Sequence, residues 1–362
     1  MPTYKSIRYI VPDEAVEHTD SINALADVNT STVAPEIGQI LKWSAANSRW
    51  QPADIEESAS ATQKALFGFG KVAGGNGYRN MTNLISSSGV VATDTTGVGT
   101  VRDGLGGASY GGDKAIFGFG RNNDDNNDMG QKNITNLVSN TGVVASDSTG
   151  VGKKKTAVCA AGYGGDKAFF GFGMHYDYDN DDEDNQNQLN LVSNTGVVST
   201  ENTGVGTARQ GAAAAGYGGD KAIIGFGYSG QRTNITNLVS NTGIVSSDVT
   251  GVGTARSLAA ASYGGDKAIF GFGWTGSNLT NVTNLVSNAG VVASDTTGVG
   301  TARDTLAGVG YGGDKAIFGF GYTSGETNVT NLVSNAGVVA TDTTGVGTSR
   351  RDLAAAGYSS TA

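Results

Sequence analysis

The sequence predicts an all-β protein built around a six-bladed β-propeller of four-stranded blades. One unit recurs along the chain with its lysine spaced by 46 to 54 residues, which is the repeat length of four-stranded blades. Helical periodicity is absent, and short apolar runs alternate with glycine-rich turns. All four prolines precede residue 53, and all but one of the 57 glycines follow residue 60. We therefore expect an N-terminal attachment segment over residues 1–60 and the propeller over residues 61–362.

Each unit offers four strand candidates, A to D. In the unit after Arg209, these are residues 210–217, 221–227, 235–240 and 243–247. Gly-Gly-Asp joins A to B and Asn-x-Gly joins C to D, as is typical of tight hairpin turns. Strand A is nearly all alanine and glycine, which suits an innermost strand where several blades converge on one axis.

The first and last copies of the unit are complementary halves. The copy that starts at Lys64 begins with strand B, and the segment from Arg351 to Ser359 supplies only strand A. The last strand is therefore expected to complete the first blade, which closes the ring and removes its free edges. Six blades follow from this count.

The order of features in each unit also resembles a known family. An arginine is followed by small residues, a glycine turn, an apolar strand ending in glycines, a variable loop and Asn-x-x-Asn-Leu. This order resembles the kelch propeller family over about 300 residues. The resemblance implies a β-propeller for the whole C-terminal part of the chain.

The N-terminal segment contains a predicted β-hairpin over residues 39–43 and 48–52, with Trp43 and Trp50 on its two arms. A lone hairpin is marginal in water, so we expect it to pair with further copies of itself, as a homotrimer, or with a scaffold. Residues 25–28, 38–43 and 50–54 together with Pro35 resemble a short module of tail-fibre and other virion structural proteins of tailed bacteriophages. The alternative interpretation is a generic hairpin with paired tryptophans.

Charge and cysteine content exclude several functional classes. The net charge is −9 and the only basic run is 153–155, so we expect no nucleic-acid partner. One cysteine excludes an intrachain disulfide framework, and Cys159 in its alanine-rich strand is expected to be a small buried hydrophobe. No apolar stretch is long enough for a membrane span or a signal peptide, so no membrane insertion is expected.

Catalysis is not expected. A nucleophile with a base needs a histidine or an equivalent group, and His18 and His175 lie in different domains. Residues 225–230 and 271–276 match G-x-G-x-x-G, but no helix follows that could hold a phosphate. We predict no cofactor.

An acid lies eight residues before a base in every unit. These predicted pairs are Asp94 with Arg102, Asp147 with Lys155, Glu201 with Arg209, Asp248 with Arg256, Asp295 with Arg303, and Asp342 with Arg350. One interpretation is a cationic ring at the mouth of the channel that binds an anion. The favoured one is a structural ion pair between strands D and A.

The loop over residues 174–188 is rich in carboxylates. Asp177, Asp179 and Asp181 alternate as calcium ligands do, but the glycine and glutamate that such a loop needs later are missing. A solvated acidic loop is the favoured interpretation, and no metal site is predicted.

The B-to-C loops vary in length and content, whereas the A-to-B and C-to-D turns on the other side of the propeller are nearly identical. Variable loops on a rigid frame are where recognition usually resides. Aromatic tips suit stacking on sugars or protein contacts. The residues predicted to lie on this contact face are Tyr176, Tyr178, Tyr228, Trp274 and Tyr322.

The sequence is compatible with three functions from different classes. The favoured one is a bacteriophage virion protein, assembled in the host cytoplasm. Its first 60 residues attach to other virion proteins, and its propeller contacts proteins or a host-surface glycan or receptor. The second is a propeller enzyme acting on carbohydrate, which needs clustered carboxylates or metal ligands at the channel mouth. The third is a cellular kelch-type interaction scaffold.

Overall fold

The chain divides into two compact units, residues 1–60 and residues 61–362. The computed structural model describes residues 39–44, 48–54, 63–74, 76–123, 127–177 and 182–359. These residues form antiparallel β-sheets, with no α-helix among them and one 3-10 turn at Asn127–Gly130. The protein is therefore all-β, as the lack of helical periodicity predicted.

In the N-terminal unit, the described residues form one β-hairpin. Strand β1 covers Gln39–Ser44 and strand β2 covers Arg49–Asp54. The antiparallel register places Trp43 directly opposite Trp50, which confirms the predicted hairpin. The other residues that carried the resemblance to virion proteins before Gln39 lie outside the described part of the chain, as does His18.

The second unit contains the remaining strands. In chain order they are β3 (Gln63–Lys71), β4 (Tyr78–Ile85), β5 (Gly106–Tyr110), β6 (Lys114–Gly118), β7 (Thr135–Val138), β8 (Cys159–Tyr163), β9 (Lys167–Gly171), β10 (Met174–Asp177), β11 (Asp182–Asn185), β12 (Leu189–Val192), β13 (Val198–Glu201), β14 (Ala213–Tyr217), β15 (Lys221–Gly225), β16 (Thr236–Val239), β17 (Ser257–Tyr263), β18 (Lys267–Trp274), β19 (Leu279–Val286), β20 (Ala307–Tyr311), β21 (Lys315–Gly319), β22 (Thr330–Val333) and β23 (Ala354–Ser359).

These strands form six sheets, which we number by the chain order of their central strands. Sheet 1 is β23-β3-β4, sheet 2 is β5-β6-β7, and sheet 3 is β8-β9-β12-β13. Sheet 4 is β14-β15-β16, sheet 5 is β17-β18-β19, and sheet 6 is β20-β21-β22. The strand named first is called the first strand of its sheet. Strands β10 and β11 pair as a separate hairpin, so the prediction that residues 174–188 form only a loop is wrong.

The first sheet joins the two ends of the second unit. Strand β23 pairs antiparallel with β3, from Ala354 opposite Gly68 to Ser359 opposite Gln63, as the sequence predicted. The first strands also contact one another in order: β5 with β8, β8 with β14, β14 with β17, β17 with β20, β20 with β23, and β23 with β5. The contacts thus return from the sixth sheet to the first.

The hydrophobic core lies between neighbouring sheets. The central strands are buried on both faces, whereas the first strands β5, β8, β14 and β20 alternate buried and half-buried residues. Phenylalanine rings cross the junctions: Phe69 meets Phe117 at 5.3 Å between centroids, and Phe67 meets Phe320 at 5.0 Å. Such tilted ring pairs add about 0.5–1.5 kcal/mol each beyond the area that they bury.

The small residues of the first strands allow close approach between sheets. A Cβ atom at Gly107 would lie 2.6 Å from the carbonyl oxygen of Ala355, and one at Gly308 would lie 2.6 Å from that of Ala260. Because these obstacles are backbone atoms, no side chain fits without moving a strand. Glycine is therefore required at Gly107 and Gly308, where the first strands meet most closely.

The fourth strand differs from the prediction. It is a continuous strand only in sheet 3, as β13, whereas sheet 2 has isolated bridges that join Val138 to Val144 and Thr135 to Ser148. Asn136 donates its amide N–H to the backbone oxygen of Ala145 at 3.0 Å, and Asn190 makes the equivalent bond to Ser199 O in sheet 3, so a side chain ties the fourth segment to the third strand in both sheets. The prediction of a regular four-stranded sheet is therefore too simple for five of the six sheets.

We expect that deleting residues 351–362 destabilises the second unit severely. The deletion removes β23, exposes the edge of β3 and uncovers the core beneath Ala356 and Tyr358, which are almost fully buried. The expected fall in Tm, followed by circular dichroism, is more than about 10 °C, or the cooperative transition is lost. Deleting only residues 360–362 is the control, since it leaves all of β23 in place. Equal Tm values for the two deletions would contradict this role.

Candidate functional site

One basic side chain is buried just before every first strand. These bases are Arg102, Lys155, Arg209, Arg256, Arg303 and Arg350, and all are 0% exposed. Arg256 shows the common pattern. Its Nε donates to Phe272 O at 2.9 Å, its Nη1 to Thr254 O at 2.7 Å and its Nη2 to Asn284 Oδ1 at 2.7 Å. Nη2 also donates to Val282 O at 3.4 Å, and Asp295 Oδ1 lies 3.7 Å from Nη1, so the buried charge has four acceptors and an ionic partner.

The same bases connect neighbouring sheets. The guanidinium carbon of Arg256 lies 4.9 Å from the centre of the Phe226 ring in sheet 4, and the six such distances lie between 4.3 and 5.0 Å. The backbone oxygen of Arg256 accepts a hydrogen bond from Gly227 of sheet 4 at 3.0 Å. Arg350 stacks on Phe320 in the same way, so the junction between sheets 6 and 1 has the contact too. Desolvated cation–π pairs are worth about 2 kcal/mol.

The phenylalanine between the two glycines of each Gly-Phe-Gly has an unusual backbone. Phe69, Phe119, Phe172, Phe226, Phe272 and Phe320 all have φ between 58° and 66°. A left-handed non-glycine residue costs about 1–2 kcal/mol. This conformation allows the ring to reach the base of the next sheet, as Phe272 reaches Arg303. At the same time the carbonyl accepts a hydrogen bond from Nε of the base in its own sheet, as Phe272 does from Arg256. The G-x-G-x-x-G matches are therefore parts of this contact, with no helix after them.

The acid–base pairs differ from those predicted by the spacing of eight residues. The observed pairs, with their N–O distances, are Asp94 with Arg350 (3.8 Å), Asp147 with Arg102 (3.9 Å), Glu201 with Lys155 (3.6 Å) and Asp295 with Arg256 (3.7 Å). Asp248 and Asp342 interact with Arg209 and Arg303. The predicted partners are wrong by one repeat, because each acid returns to the base of its own sheet. The bases are structural, and their burial rules out an accessible cationic ring.

A signal for the observed pairing was present in the sequence. Lys155 is the only lysine among the six bases, and Glu201 is the only glutamate among the six acids. The shorter base and the longer acid lie in the same sheet, where Lys155 Nζ also donates to Asn190 Oδ1 at 2.7 Å. Replacing arginine by lysine and aspartate by glutamate in the same sheet keeps the ammonium and the carboxylate within reach of each other. The prediction from the eight-residue spacing assigns Lys155 and Glu201 to two different pairs.

Burial and hydrogen bonding set the ionisation of this network. Burial lowers the pKa of Arg256 to about 10, against the opposing effect of Asp295, so the base stays charged at neutral pH. Burial raises the pKa of Asp295, but hydrogen bonds from Thr254 and Asn284 outweigh it and hold the pKa below its usual value. Burial lowers the pKa of Lys155 to about 8.

A second set of residues surrounds one end of the first strands, and we call it the mouth. It consists of the residue after each buried base and the residue after each Gly-Phe-Gly, which pair across the sheet, together with Asp352, which follows Arg351. These pairs are Arg351–Lys71, Asp103–Arg121, Thr156–Met174, Gln210–Tyr228, Ser257–Trp274 and Asp304–Tyr322. The mouth differs from sheet to sheet, whereas the network beneath it repeats.

Three aromatic residues predicted for the contact face occupy equivalent places in the mouth. Tyr228, Trp274 and Tyr322 follow Gly-Phe-Gly in the successive sheets 4, 5 and 6. Tyr176 instead lies half-buried in β10, where its backbone N–H donates to Gln131 Oε1 at 3.0 Å. Tyr178 lies outside the described residues. The structure thus brings three of the five predicted residues into one arc.

Three carboxylates occupy the adjoining part of the mouth, and sequence reasoning missed them. Asp304, Asp352 and Asp103 come from sheets 6, 1 and 2, and Asp103 is 2% exposed. Burial raises the pKa of all three. The side chain of Asp352 is 33% exposed. Burial of the rest of the carboxyl and the neighbouring charge of Asp103 raise the pKa of Asp352 to about 7, against the opposing effects of Arg351 and Arg121.

Cations lie beside these carboxylates. Arg121 Nε lies 3.3 Å from Asp103 Oδ1, and Arg351 Nε lies 3.6 Å from Asp352 Oδ2. Arg351 also stacks over Tyr322, with 4.7 Å between its guanidinium carbon and the ring centre. Arg232 lies over Tyr228 at 5.1 Å. Arg351 Nε also lies 3.7 Å from Glu326 Oε1, so cations and carboxylates lie side by side in this part of the mouth.

A cavity of about 260 Å³ opens in the mouth. Trp274, Arg232, Ser257, Asp304 and Asp352 form its polar and aromatic wall, and leucine and valine side chains from several sheets form its floor. Arg232 Nη1 donates to Ser257 Oγ at 2.5 Å, which fixes the guanidinium on this wall. Asp304 Oδ1 is buried and makes no hydrogen bond of ordinary geometry with a described residue. Such an atom calls for water or a ligand.

The opposite side of the second unit is uniform. There, Asn140 of one C-to-D turn donates to Asp113 of the neighbouring A-to-B turn at 3.2 Å, and this bond recurs in sheets 3 to 6. One aliphatic residue per sheet is 65 to 69% exposed beside it: Val90, Val143, Val197, Ile244, Val291 and Val338. Sequence reasoning treated these turns as plain turn chemistry and did not note the exposed aliphatic residues.

The remaining candidates have structural roles or lie outside the described residues. Asp177 lies opposite Asp182 in the β10–β11 hairpin, whereas Asp179 and Asp181 are not described. Within the described residues, no group of three metal-binding side chains exists. His175 Nδ1 lies 2.8 Å from Lys154 O. Burial raises the pKa of Cys159 to about 12, which makes its thiol inert, as expected of a buried hydrophobe.

Comparison with protein-family models and with curated proteins gives no match for this chain. The resemblances to kelch repeats and to virion modules therefore stay predictions. In the part of the chain that the structure describes, no helix has the length and apolar character that crossing a membrane needs.

Sheet 3 has a lysine–glutamate pair where sheet 5 has Arg256 and Asp295. We predict that a lysine–glutamate pair is also tolerated in sheet 5. Arg256→Lys alone should cost about 1–3 kcal/mol of unfolding free energy, because lysine loses the Nε bond and the planar stack. Adding Asp295→Glu should recover at least about 0.5 kcal/mol relative to additivity. The measurement is a double-mutant cycle in urea. The control combines Arg256→Lys with Asp248→Glu, the acid eight residues earlier, and the two changes in unfolding free energy should add. Coupling between Arg256 and Asp248, with none between Arg256 and Asp295, would contradict the observed pairing.

We predict that Asp352→Asn raises stability in a pH-dependent way. The folded-state pKa of about 7 exceeds the usual value of about 3.9, so the wild type loses stability as pH rises between them. The gain in Tm should be absent near pH 4 and complete near pH 8. Asparagine tolerates the left-handed φ of 52° at this position.

Asp342→Asn provides a control of opposite sign for this experiment. Burial of Asp342 is outweighed by hydrogen bonds from Thr301 and Asn331, so its pKa is lowered and its contribution is lost as pH falls. This variant should lower Tm at neutral pH, with a difference that shrinks in acid. A pH-independent gain from Asp352→Asn would refute the assigned ionisation.

Proposed function

We propose that residues 61–362 form a six-bladed β-propeller that acts as a non-enzymatic binding platform on a bacteriophage particle. Three observations support the propeller. The six sheets repeat one strand order, their first strands contact one another in a cycle, and β23 completes sheet 1. The kelch-like order of sequence features agrees with this architecture. The isolated bridges after the third strands would be the irregular fourth strand of each blade.

The N-terminal unit is the proposed attachment segment. Its hairpin places Trp43 opposite Trp50, in a two-stranded sheet that is too small for independent stability. A neighbour, from other virion proteins or from two further copies, would cover this hairpin and stabilise it. The resemblance to tail-fibre modules is the reason for placing this neighbour in the virion.

The mouth is the proposed recognition site. The observation that carries this proposal is that the mouth residues vary between sheets, whereas the buried network beneath them repeats. The buried base, its acid and its phenylalanine recur in all six sheets, whereas every pair of mouth residues differs. Repeats with identical frames need no such variety for stability. Function in repeated folds resides in the sites that depart from the repeat, and loops on a rigid scaffold carry binding residues. A host-surface glycan or receptor is the proposed partner.

A second candidate function, hydrolysis of carbohydrate, is favoured by one observation. A propeller enzyme that cleaves carbohydrate needs clustered carboxylates at the channel mouth, and Asp103, Asp304 and Asp352 are carboxylates of the mouth. Asp352, with its raised pKa of about 7, has the ionisation of a general acid. Time-dependent release of reducing ends from host polysaccharide, abolished by Asp352→Asn, would establish the enzyme in place of the binding platform.

Two sets of substitutions test the platform in particles, and each serves as the control for the other. Trp43→Ala with Trp50→Ala should remove the protein from purified particles, as followed by immunoblotting. Tyr228→Ala, Trp274→Ala and Tyr322→Ala together should leave incorporation intact and lower the rate of adsorption to host cells at least about tenfold. Normal adsorption of the triple variant would refute the role of the mouth, and normal incorporation of the double variant would refute the anchor.

A further inference from the structure

We propose that the cavity in the mouth binds one ring of a neutral saccharide, with Trp274 as the stacking surface and Asp304 and Arg232 as partners for its hydroxyl groups. This inference rests on the proposed function, because it names the ligand of the same site.

The size of the cavity sets the first limit. At about 260 Å³ it lies just below the range of about 300–1,000 Å³ that holds drug-sized ligands. A single pyranose ring fits such a volume, whereas a folded peptide segment does not. A separate cavity of about 200 Å³ lies between the first strands, lined mainly by glycine, alanine and serine, including Gly107, Ala214 and Ser262, and the described part of the chain offers a second ring no arginine, carboxylate or tryptophan there like those of the mouth. A chain of rings would therefore extend outward from the mouth.

The balance of charge sets the second limit. Each carboxylate of the mouth has a cation near it: Arg121 beside Asp103, Arg351 beside Asp352, and Arg232 and Arg351 near Asp304. An anionic ligand would meet the carboxylates, and a cationic ligand would meet the arginines. The ligand that gains from both is neutral and carries hydroxyl groups, each of which donates one hydrogen bond and accepts others.

The wall provides the two kinds of contact that a sugar ring needs. Trp274 is half-buried and presents an aromatic surface to one side of the cavity, which suits the apolar face of a pyranose. Arg232 carries five N–H donors, and Ser257 takes one of them. Asp304 provides acceptors, one of them an oxygen with no ordinary hydrogen bond in the described structure. Donor and acceptor thus stand beside one aromatic plane.

Trp274 is the only tryptophan after residue 60, which allows a direct test in the full chain. The protein is labelled with 5-fluorotryptophan, and its fluorine NMR signal for Trp274 is assigned with Trp274→Phe. The probes are glucose, galactose, mannose and N-acetylglucosamine, each up to about 100 mM. We expect at least one probe to shift the Trp274 signal saturably and to leave the signals of Trp43 and Trp50 in place. Sodium sulfate and lysine amide at the same concentrations should not shift it.

Two variants locate the site. Asp304→Asn should weaken the saturable shift at least about tenfold, because a charged acceptor becomes a neutral amide. Asp314→Asn, on the uniform opposite side, is the matched control and should leave the affinity unchanged. Absence of a shift with all four sugars, or an equal affinity in Asp304→Asn, would overturn the saccharide site.

The outcomes separate this inference from the proposed function. If the triple aromatic variant loses adsorption but no sugar shifts the Trp274 signal, the platform stands and the saccharide site is wrong. If a sugar binds and Asp304→Asn weakens it while the triple variant adsorbs normally, the saccharide site stands and its role in attachment is wrong.

Discussion

The structure depends on a buried base that is shared by two sheets. In sheet 5, Arg256 donates to the backbone of its own central strand and to the amide oxygen of its third strand, and it forms an ion pair with the carboxylate of its fourth segment. It also stacks on Phe226 of the sheet before. Because a buried guanidinium is stable only when most of its donors are satisfied, these groups have to be in place together. In sheet 1, Arg350 Nη2 and Asn83 Oδ1 lack a hydrogen bond of ordinary geometry with a described residue, and the other contacts of Arg350 remain. The contact therefore fixes the arrangement within each sheet and the register between sheets.

That requirement explains the positions of two side chains. The left-handed phenylalanine of each Gly-Phe-Gly directs a ring toward the next base and a carbonyl toward its own, which an extended residue would not do. The asparagine of the third strand uses one amide nitrogen for the fourth segment and its oxygen for the base, as Asn284 does. Asn190 makes the same two bonds in sheet 3, where the fourth strand is continuous as β13. The network therefore holds the fourth segment against the third strand whether or not a ladder forms.

The repeated buried network and the variable mouth have different roles. Beneath the mouth, six copies of one network provide rigidity without any residue that is special to one sheet. At the mouth, aromatic residues occupy sheets 4 to 6, and carboxylates occupy sheets 6, 1 and 2. Neighbouring sheets thus combine unlike residues at one place, and a repeated fold obtains an asymmetric site in this way.

The sequence by itself determined the repeat, the all-β class, the tight turns and the pairing of the last strand with the first. These follow from local patterns, since glycine turns, period-two burial and missing half-units can be read along the chain. Tertiary structure alone decided which acid meets which base and which mouth residues are neighbours. Asp94 is eight residues from Arg102 but pairs with Arg350, because closure brings distant segments together while a short loop can carry adjacent ones apart. The three carboxylates of the mouth lie far apart in sequence and share a site only because their sheets meet there.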